Sequence, residues 1–407
     1  MATLSERILG GEAGSYVDRN VDRAFVHDGT GVLALETWRR LGADLACPES
    51  LYMVFDHITP ANNSTTATLQ AELRAFAKEK GIWFSDVGGG ICHQVLAEGI
   101  ALPGEVVVGA DSHTCTLGAF GAFATGVGAT DMAAIWAEGS TWFRVPETIA
   151  LYLEGSLPPA VEAKDLALAY VGRLRMDGAT YCALEFLGEA AATLPMDERL
   201  TLTNMAVETG AKTGLFYADQ ITRRYLAAYG HEVREQEREE GVCREEHTID
   251  LGDLVPLLAV PHRVDQVYPV TSYEGVHIDQ VFVGTCTNGR YEDLGRFSHI
   301  VKGRQVKVRT VVVPASRRVL LRAVEDGIIS TLLEAGCVVG SPGCGPCLGS
   351  HEGVLGKGEV GLSTANRNFK NRMGVGASYY LCGVATAAAS ALAGHIASPD
   401  QEGLYVR

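Results

Sequence analysis

Five polar segments in this chain, two of them glycine-bearing, each follow a short β-like run: 56–63, 110–114, 285–290, 341–349 and 364–372. The runs include Leu51–Phe55, Glu105–Gly109 and Val281–Gly284, and helix-patterned stretches separate them. In parallel α/β sheets, ligands gather beyond the carboxyl ends of the strands. A chain patterned this way is expected to fold as mostly parallel α/β sheets around one central site, provided the five loops converge. Periodicity alone leaves the convergence open.

Texture along the chain predicts three α/β domains, over 1–146, 147–275 and 276–407. Residues 1–45 read as a helix-rich lead-in around His27-Asp28-Gly29. Ser64 opens an amphipathic helix with Leu69, Leu73 and Phe76 on one face and Gly81 past its end. Residues 163–230 read as mostly helical. His231–His247 is a charge-rich run suited to a solvated surface. The Ala-rich stretch 381–396 reads as a packed helix. The Gly/Ala-rich loop from Gly118 to Gly128 has no G-K-[ST] and so is no phosphate loop; it can let backbone pass close to a cofactor.

Length and charge narrow the function classes. With 407 residues the chain suits two or three domains, and a net charge of −15 disfavours nucleic acid or an anionic membrane as partner. Any anionic substrate must then be held by a few local cations. There is no apolar signal core at Met1–Arg7 and no run of about 18 apolar residues. Ten cysteines spread thinly over a long chain fit a reducing cytoplasm better than a disulfide framework.

The chemistry-bearing residues sit in the five loops. Ser341–Gly349 carries Cys344-x-x-Cys347 between glycines and prolines, and Cys286 opens another loop after an apolar run. Three cysteines from two loops can ligate three irons of a [4Fe–4S] cube and leave the fourth iron open. Ferredoxin-type clusters instead use four cysteines and transfer electrons. An open iron binds substrate oxygen as a Lewis acid. The same C-x-x-C also suits a redox couple or half a zinc site, although no second C-x-x-C exists. Asp56-His57 sets a carboxylate beside an imidazole, a proton donor near neutral pH or a structural turn histidine. Asp111-Ser112-His113 repeats the pattern, and His93 is a partner for one of these carboxylates or an ordinary helix residue. Glu208, in an Ala/Gly/Thr-rich stretch, reads alone as an exposed helix carboxylate. Arg367 and Arg372 suit a dicarboxylate, one fork per carboxylate, or a surface loop.

Taken together, the chain resembles the aconitase superfamily, and within it the large subunits of the 3-isopropylmalate dehydratase type. The resemblance covers nearly the whole length. It is carried by Asp56-His57-Ile-Thr-Pro60, Gly109-Ala-Asp-Ser-His-Thr114, Gly118-Ala-Phe-Gly-Ala122, Thr130-Asp-Met-Ala133, Asn204-Met-Ala-Val-Glu208, Thr285-Cys-Thr-Asn-Gly-Arg290, Gly343-Cys-Gly-Pro-Cys-Leu-Gly349 and Asn366-Arg-Asn-Phe369.

The resemblance implies that Cys286, Cys344 and Cys347 ligate a [4Fe–4S] cluster with one open iron. It implies that Asp56-His57 protonates the leaving hydroxyl, and that His93, Asp111, His113 and Glu208 orient and tune water or hydroxyl there. Ser112, Asn204, Asn366, Arg367 and Arg372 are implied as substrate-carboxylate or cluster-side contacts. His27-Asp28 falls where mitochondrial-type members carry Gln-Asp, which gives His27 a substrate-side place. Members with a mobile fourth domain draw from it a serine base and a further arginine. This chain ends at Arg407 soon after its Ala-rich helix, so the resemblance implies a separate small subunit and a hetero-oligomer. The implied reaction is dehydration and rehydration of a malate-type dicarboxylic acid, with isopropylmalate first; homoaconitate, citraconate or methylmalate, and dimethylmalate are the alternatives. From other classes stand an RNA-binding apo form, against which the acidic balance argues, and a non-catalytic zinc or redox protein.

Overall fold

The computed structural model describes residues 2–239 and 241–400. Its strands, in chain order, are β1 (Tyr16–Asn20), β2 (Arg23–His27), β3 (Leu51–Val54), β4 (Trp83–Ser85), β5 (Val106–Gly109), β6 (Phe123–Gly126), β7 (Ser140–Arg144), β8 (Thr148–Glu154), β9 (Ala183–Leu187), β10 (Thr213–Leu215), β11 (Glu245–Asp250), β12 (Leu257–Ala259), β13 (Val267–Pro269), β14 (Gln280–Val283), β15 (Arg309–Val312), β16 (Val338–Val339), β17 (Val360–Ser363) and β18 (Ser378–Cys382). Three larger sheets result.

The first sheet, β4-β3-β2-β5-β6, is parallel throughout. The chain enters at its centre, winds outward through β3 and β4, then returns to the other side as β5 and β6. The second, β10-β9-β8-β11, is also parallel. The third runs β13-β12-β18-β17-β14-β15-β16, with antiparallel pairing only at β13-β12-β18. After the edge pair β12 and β13, the chain enters its centre at β14, goes outward through β15 and β16, and returns as β17 and β18. Each reversal opens a crevice at the carboxyl ends of the central strands, between β2 and β5 in the first sheet and between β14 and β17 in the third. An antiparallel ribbon, β1 with β7, lies beside the first sheet.

The central strands carry apolar side chains on both faces: β5 and β14 are buried along their whole length. Helices cover those faces, as parallel sheets require. The helix Ser64–Lys80 is capped by Asn63 rather than Ser64, its side chain accepting from the Thr66 N–H, and Gly81 ends it in the left-handed region. It buries Gln70, Leu73, Phe76 and Ala77. Leu69 instead faces outward, one position off the buried stripe.

Four other expectations give way. Residues 1–45 hold two strands as well as helices, because 23–27 is an apolar run at the centre of a sheet. Residues 163–230 contain β9 and β10, short enough to hide within a helical texture. The Ala-rich stretch begins as β18, and the helix spans only Val384–Ala393. The glycine-rich stretch Gly118–Gly128 is not a loop throughout: it takes in the end of a 3₁₀ helix over Ser112–Phe120 and then β6. A Cβ on Gly118 would lie 1.8 Å from the Gly214 carbonyl oxygen, so that glycine serves packing onto β10 rather than approach to a cofactor.

Buried charges join the second and third sheets. Lys164 is fully buried, and its Nζ donates to the carbonyls of Thr364 and Ala365 at 2.7 Å each. Glu162 accepts from the Val384 and Ala385 N–H groups at the start of the last helix, at 2.5 and 3.0 Å, and Asp165 accepts from the Leu257 N–H at 2.8 Å.

Candidate active site

The five loops converge. A cavity of about 330 Å³ is lined by His27, His57, His93, Asp111, Ser112, His113, Cys286, Cys344, Cys347, Asn366, Arg367 and Arg372, together with Thr30, Ile91, Val127, Thr285 and Leu348 among others. The expected residues Asp56, Asn204 and Glu208 stand behind that lining, each bonded to a residue in it.

On one wall Asp56, just past β3, is 1 % exposed and lies 2.5 Å from His57 Nδ1 through Oδ1. Its other oxygen accepts from the Cys92 N–H at 2.7 Å. Asp28, just past β2, fixes the same turn by accepting from the His57 and Ile58 N–H groups, 2.9 Å each. Burial disfavours charge on His57, but Cys344 and Asp56 outweigh it and hold the imidazole pKa well above its usual value. His27 stacks on His57 with centroids 3.8 Å apart and planes 18° apart. Burial and the neighbouring His57 charge push His27 down to about 4. Two stacked imidazoles therefore carry one proton charge between them at neutral pH, and it resides on His57.

The other wall is a chain of paired charges. Asp111 Oδ1 lies 3.2 Å from His93 Nε2 and 3.6 Å from His113 Nδ1. His113 Nε2 meets Glu208 Oε1 at 2.9 Å, and Arg367 Nε donates to the same oxygen at 2.7 Å. Burial would raise both carboxylates; His93 and His113 pull Asp111 well below its usual range, and Arg367 and His113 lower Glu208. Burial likewise opposes charge on His93, yet Asp111 lifts it to about 10. Glu208 is thus a 4 % exposed site carboxylate in a 3₁₀ turn, not the exposed helix residue its local sequence suggests.

The thiols come from two loops. Cys286 follows β14, and Asn204 and Asn366 aim Nδ2 donors at its Sγ from 3.1 and 3.4 Å. Burial would raise this thiol, but His93 and His113 bring it down to about 6. It is a thiolate at neutral pH, the form that ligates metal. Cys344 and Cys347 lie past β16, 8 % exposed each. Arg372 Nη2 is 4.0 Å from the Cys347 sulfur, and its buried Nε has no protein partner. Gly349 sits at φ +70°, and a Cβ there would fall 2.3 Å from the Arg372 carbonyl oxygen, so only glycine lets the two loops touch.

Two residues that sequence reasoning did not single out hold the Cys286 loop. Thr285 adopts φ +77°, costly for a β-branched residue by roughly 1–3 kcal/mol. Arg290, quoted only as part of a motif, donates to the Cys286 and Thr287 carbonyls at 2.6 Å each. Asp28 was legible from its place beside His27, in the pattern of Asp56-His57.

The donor set suits a cluster better than one ion. Four bonds of about 2.3 Å to a single zinc would bring sulfurs to within about 4 Å of one another. Among the described residues, the group whose ligand atoms all lie within 4.8 Å is His27, Asp28, Asp56 and His57, and the three cysteines form no such group. All three line one cavity, and Cys286 receives amide donors on sulfur of the kind that tunes iron–sulfur sites.

Comparison with known proteins agrees with this geometry. The sequence model of the aconitase family (aconitate hydratase) matches residues 4–275 and 269–394. A probable methanogen homoaconitase large subunit of Methanosarcina mazei is 52% identical over 93% of this chain and 98% of its own. The 3-isopropylmalate dehydratase large subunit 2 of Archaeoglobus fulgidus is 46% identical over 98% and 99%. Among solved structures, the holo-form of Thermococcus kodakaraensis aconitase X superimposes with a TM-score of 0.53 at 13% identity, covering 86% of this chain and 84% of that one, a likeness of fold. The chain belongs to the aconitase family. It is an enzyme of the hydro-lyase class, and an iron–sulfur cluster goes with that family. Among the described residues no helix is long and apolar enough to cross a membrane.

Proposed function

We propose that this chain is the large subunit of a [4Fe–4S] hydro-lyase that interconverts 2- and 3-isopropylmalate by dehydration and rehydration, a step toward leucine. The observation that carries the reading is the single cavity shared by three cysteines, a charged imidazole–carboxylate pair and two arginines. Names of relatives support the substrate, and "large subunit" in those names supports a small-subunit partner. That partner would bring the base that takes the carbon-bound proton and the loop that reads the substrate's variable group. The three larger sheets would be the cores of three domains, near 1–146, 147–275 and 276–407. Free cysteines throughout support a cytoplasmic setting.

Cys286, Cys344 and Cys347 would hold the cluster. When bound it supplies an iron with an open position, a Lewis acid toward the substrate's hydroxyl and one carboxylate. His57 delivers the proton that the leaving oxygen needs. Its Nδ1 is engaged by Asp56, so Nε2 is the nitrogen that serves the cavity. Arg367 and Arg372 receive the two carboxylates. Glu208 holds Arg367 at one fixed nitrogen, which leaves the rest of its fork for substrate. His93, Asp111 and His113 present a rigid, charge-balanced wall that orients water without taking part in a net proton change. Fixed carboxylates let the dehydrated acid re-enter in the opposite sense, as isomerisation requires.

Homoaconitate hydration is the second reading, favoured by the 52% identical relative so named. Anaerobic reconstitution of the chain with its small subunit, assayed against a panel of malate-type acids, separates the two. Highest kcat/KM on isopropylmalate is the expected result. A preference for homoaconitate, or full activity of the rigorously purified single chain, would overturn this reading.

A further inference from the structure

A second cavity, of about 570 Å³, adjoins the first and is larger than it. Ser112 and Val127 line both, so these two residues stand between the two spaces. Its outer wall is β7 with Trp142, and its inner wall carries Tyr181 and Lys212. The size lies within the range of small-ligand pockets, about 300–1,000 Å³.

Its charges are unusual for so acidic a chain. Lys212 is half-buried, and no carboxylate among the described residues comes within ion-pair distance of its Nζ. The Lys212 ammonium lies 5.3 Å from the Tyr181 ring centroid, and the Arg144 guanidinium lies 5.6 Å from the same centroid. Arg144 likewise has no carboxylate at ion-pair distance among the described residues. Two cations thus share one ring. Burial lowers the Lys212 pKa, with Asp131 opposing, which is the mark of an ammonium short of partners. Asp131, the carboxylate of this cavity, is engaged in capping the Gly128 N–H at 3.3 Å. A separate observation concerns the ring itself. Tyr181 adopts φ +60°, a conformation that a bulky residue enters only when its surroundings compel it.

We propose that this cavity is an anion-binding antechamber, in which Lys212, aided by Arg144 beside the Tyr181 ring but outside the lining, collects a dicarboxylate and passes it by Ser112 to the catalytic cavity. The identity of the acid rests on the function proposed above; the anion site does not. The chain's net charge of −15 repels a dianion at long range, and local cations in a low-dielectric cleft reverse that field where it matters. Tyr181 holds both cations without neutralising them, as a carboxylate would. The first carboxylate docks on Lys212, and Arg367 and Arg372 take over beyond Ser112.

The test uses the reconstituted holoenzyme in two arms. In the first, kcat/KM is measured against ionic strength. Lys212→Met should raise KM about tenfold at low salt, and the gap from the parent should close to under about twofold near 0.5 M salt, where the Debye length is a few ångströms. Lys212→Arg should restore most of the loss. Exposed Arg144→Met should move KM the same way by less, and it keeps the test alive should Lys212→Met not fold. An unchanged KM, or a KM shift independent of salt, overturns the proposal. In the second arm succinate, an inert dicarboxylate, is titrated while Trp142 fluorescence is followed as the difference from Trp142→Phe. A saturable response that Lys212→Met abolishes supports the antechamber, even if no acid of the panel is turned over. Turnover of isopropylmalate without any Trp142 response to succinate leaves the function standing and removes the antechamber.

Discussion

The two walls of the catalytic cavity solve the same electrostatic problem differently. Both bury carboxylates beside imidazoles. On the Asp111 wall the charges alternate along a chain, His93, Asp111, His113, Glu208, Arg367, and the second Asp111 oxygen reaches across to His27 and His57 Nε2 at 3.7 and 3.8 Å. On the Asp56 wall one carboxylate serves one imidazole, and the stacked His27 is kept neutral. The first arrangement locks its protons; the second leaves one proton on a ring that faces the cavity. Of the thiols, Cys286 lies near the Asp111 wall, where, despite its burial, His93 and His113 bring it down to about 6. On the proposed function, holding the anionic substrate and moving a proton would fall to two groups of residues that meet at Asp111.

Substitutions that cross this division test it. The largest effect is expected for Cys347→Ser, which should lose bound iron and sulfide after anaerobic purification and lower turnover by more than about 10³-fold. His57→Ala should keep its iron and lose about 10²–10⁴-fold in kcat, the usual worth of a positioned acid. Full turnover by that variant would move the acid elsewhere. Asp56→Asn should cost about 10–100-fold and shift the pH profile. His57 must be protonated to act, and its pKa is raised by Asp56, so activity falls as pH rises through that pKa. Removing the carboxylate lowers the pKa, and the alkaline limb should move to lower pH. A limb that stays put would separate Asp56 from the proton. Glu208→Gln should act about 10–100-fold, mainly on KM, because it frees Arg367 and His113 rather than the proton donor. Steady-state kinetics that showed kcat falling alone would erase the distinction between the walls. The smallest change, under about tenfold, is expected for His27→Gln, since a neutral stacked ring is replaced by a neutral amide.

Much of this was legible in the sequence, for a physical reason. Strands buried on both faces leave short apolar runs, and the polar residue after each run marks a strand end. That rule located Asp56, Asp111, Cys286, Cys344 and Arg367 before any coordinates. It could not assign depth. Glu208 looks like a surface residue because its neighbours are small, and only the approach of Arg367, far along the chain, gives it a buried partner. Lys164 went unnoticed for the same reason: its acceptors are carbonyls two hundred positions away, and a carbonyl has no sequence signature. The short strands β9 and β10 were hidden by flanking helices, whose periodicity dominates any window wide enough to read.

One contact ties the metal loop to the acid. The Cys344 N–H donates to the Asp56 carbonyl at 2.8 Å, and a Cβ on Gly343 would lie 2.9 Å from that same oxygen. The backbone that carries a proposed cluster ligand is therefore stapled to the backbone that carries the proposed proton donor. Oxidative loss of the cluster should then loosen both together, and amide hydrogen exchange at residues 344 and 57 should quicken in step. An air-damaged enzyme of this design fails as a unit, without a half-assembled site left to misprocess its substrate.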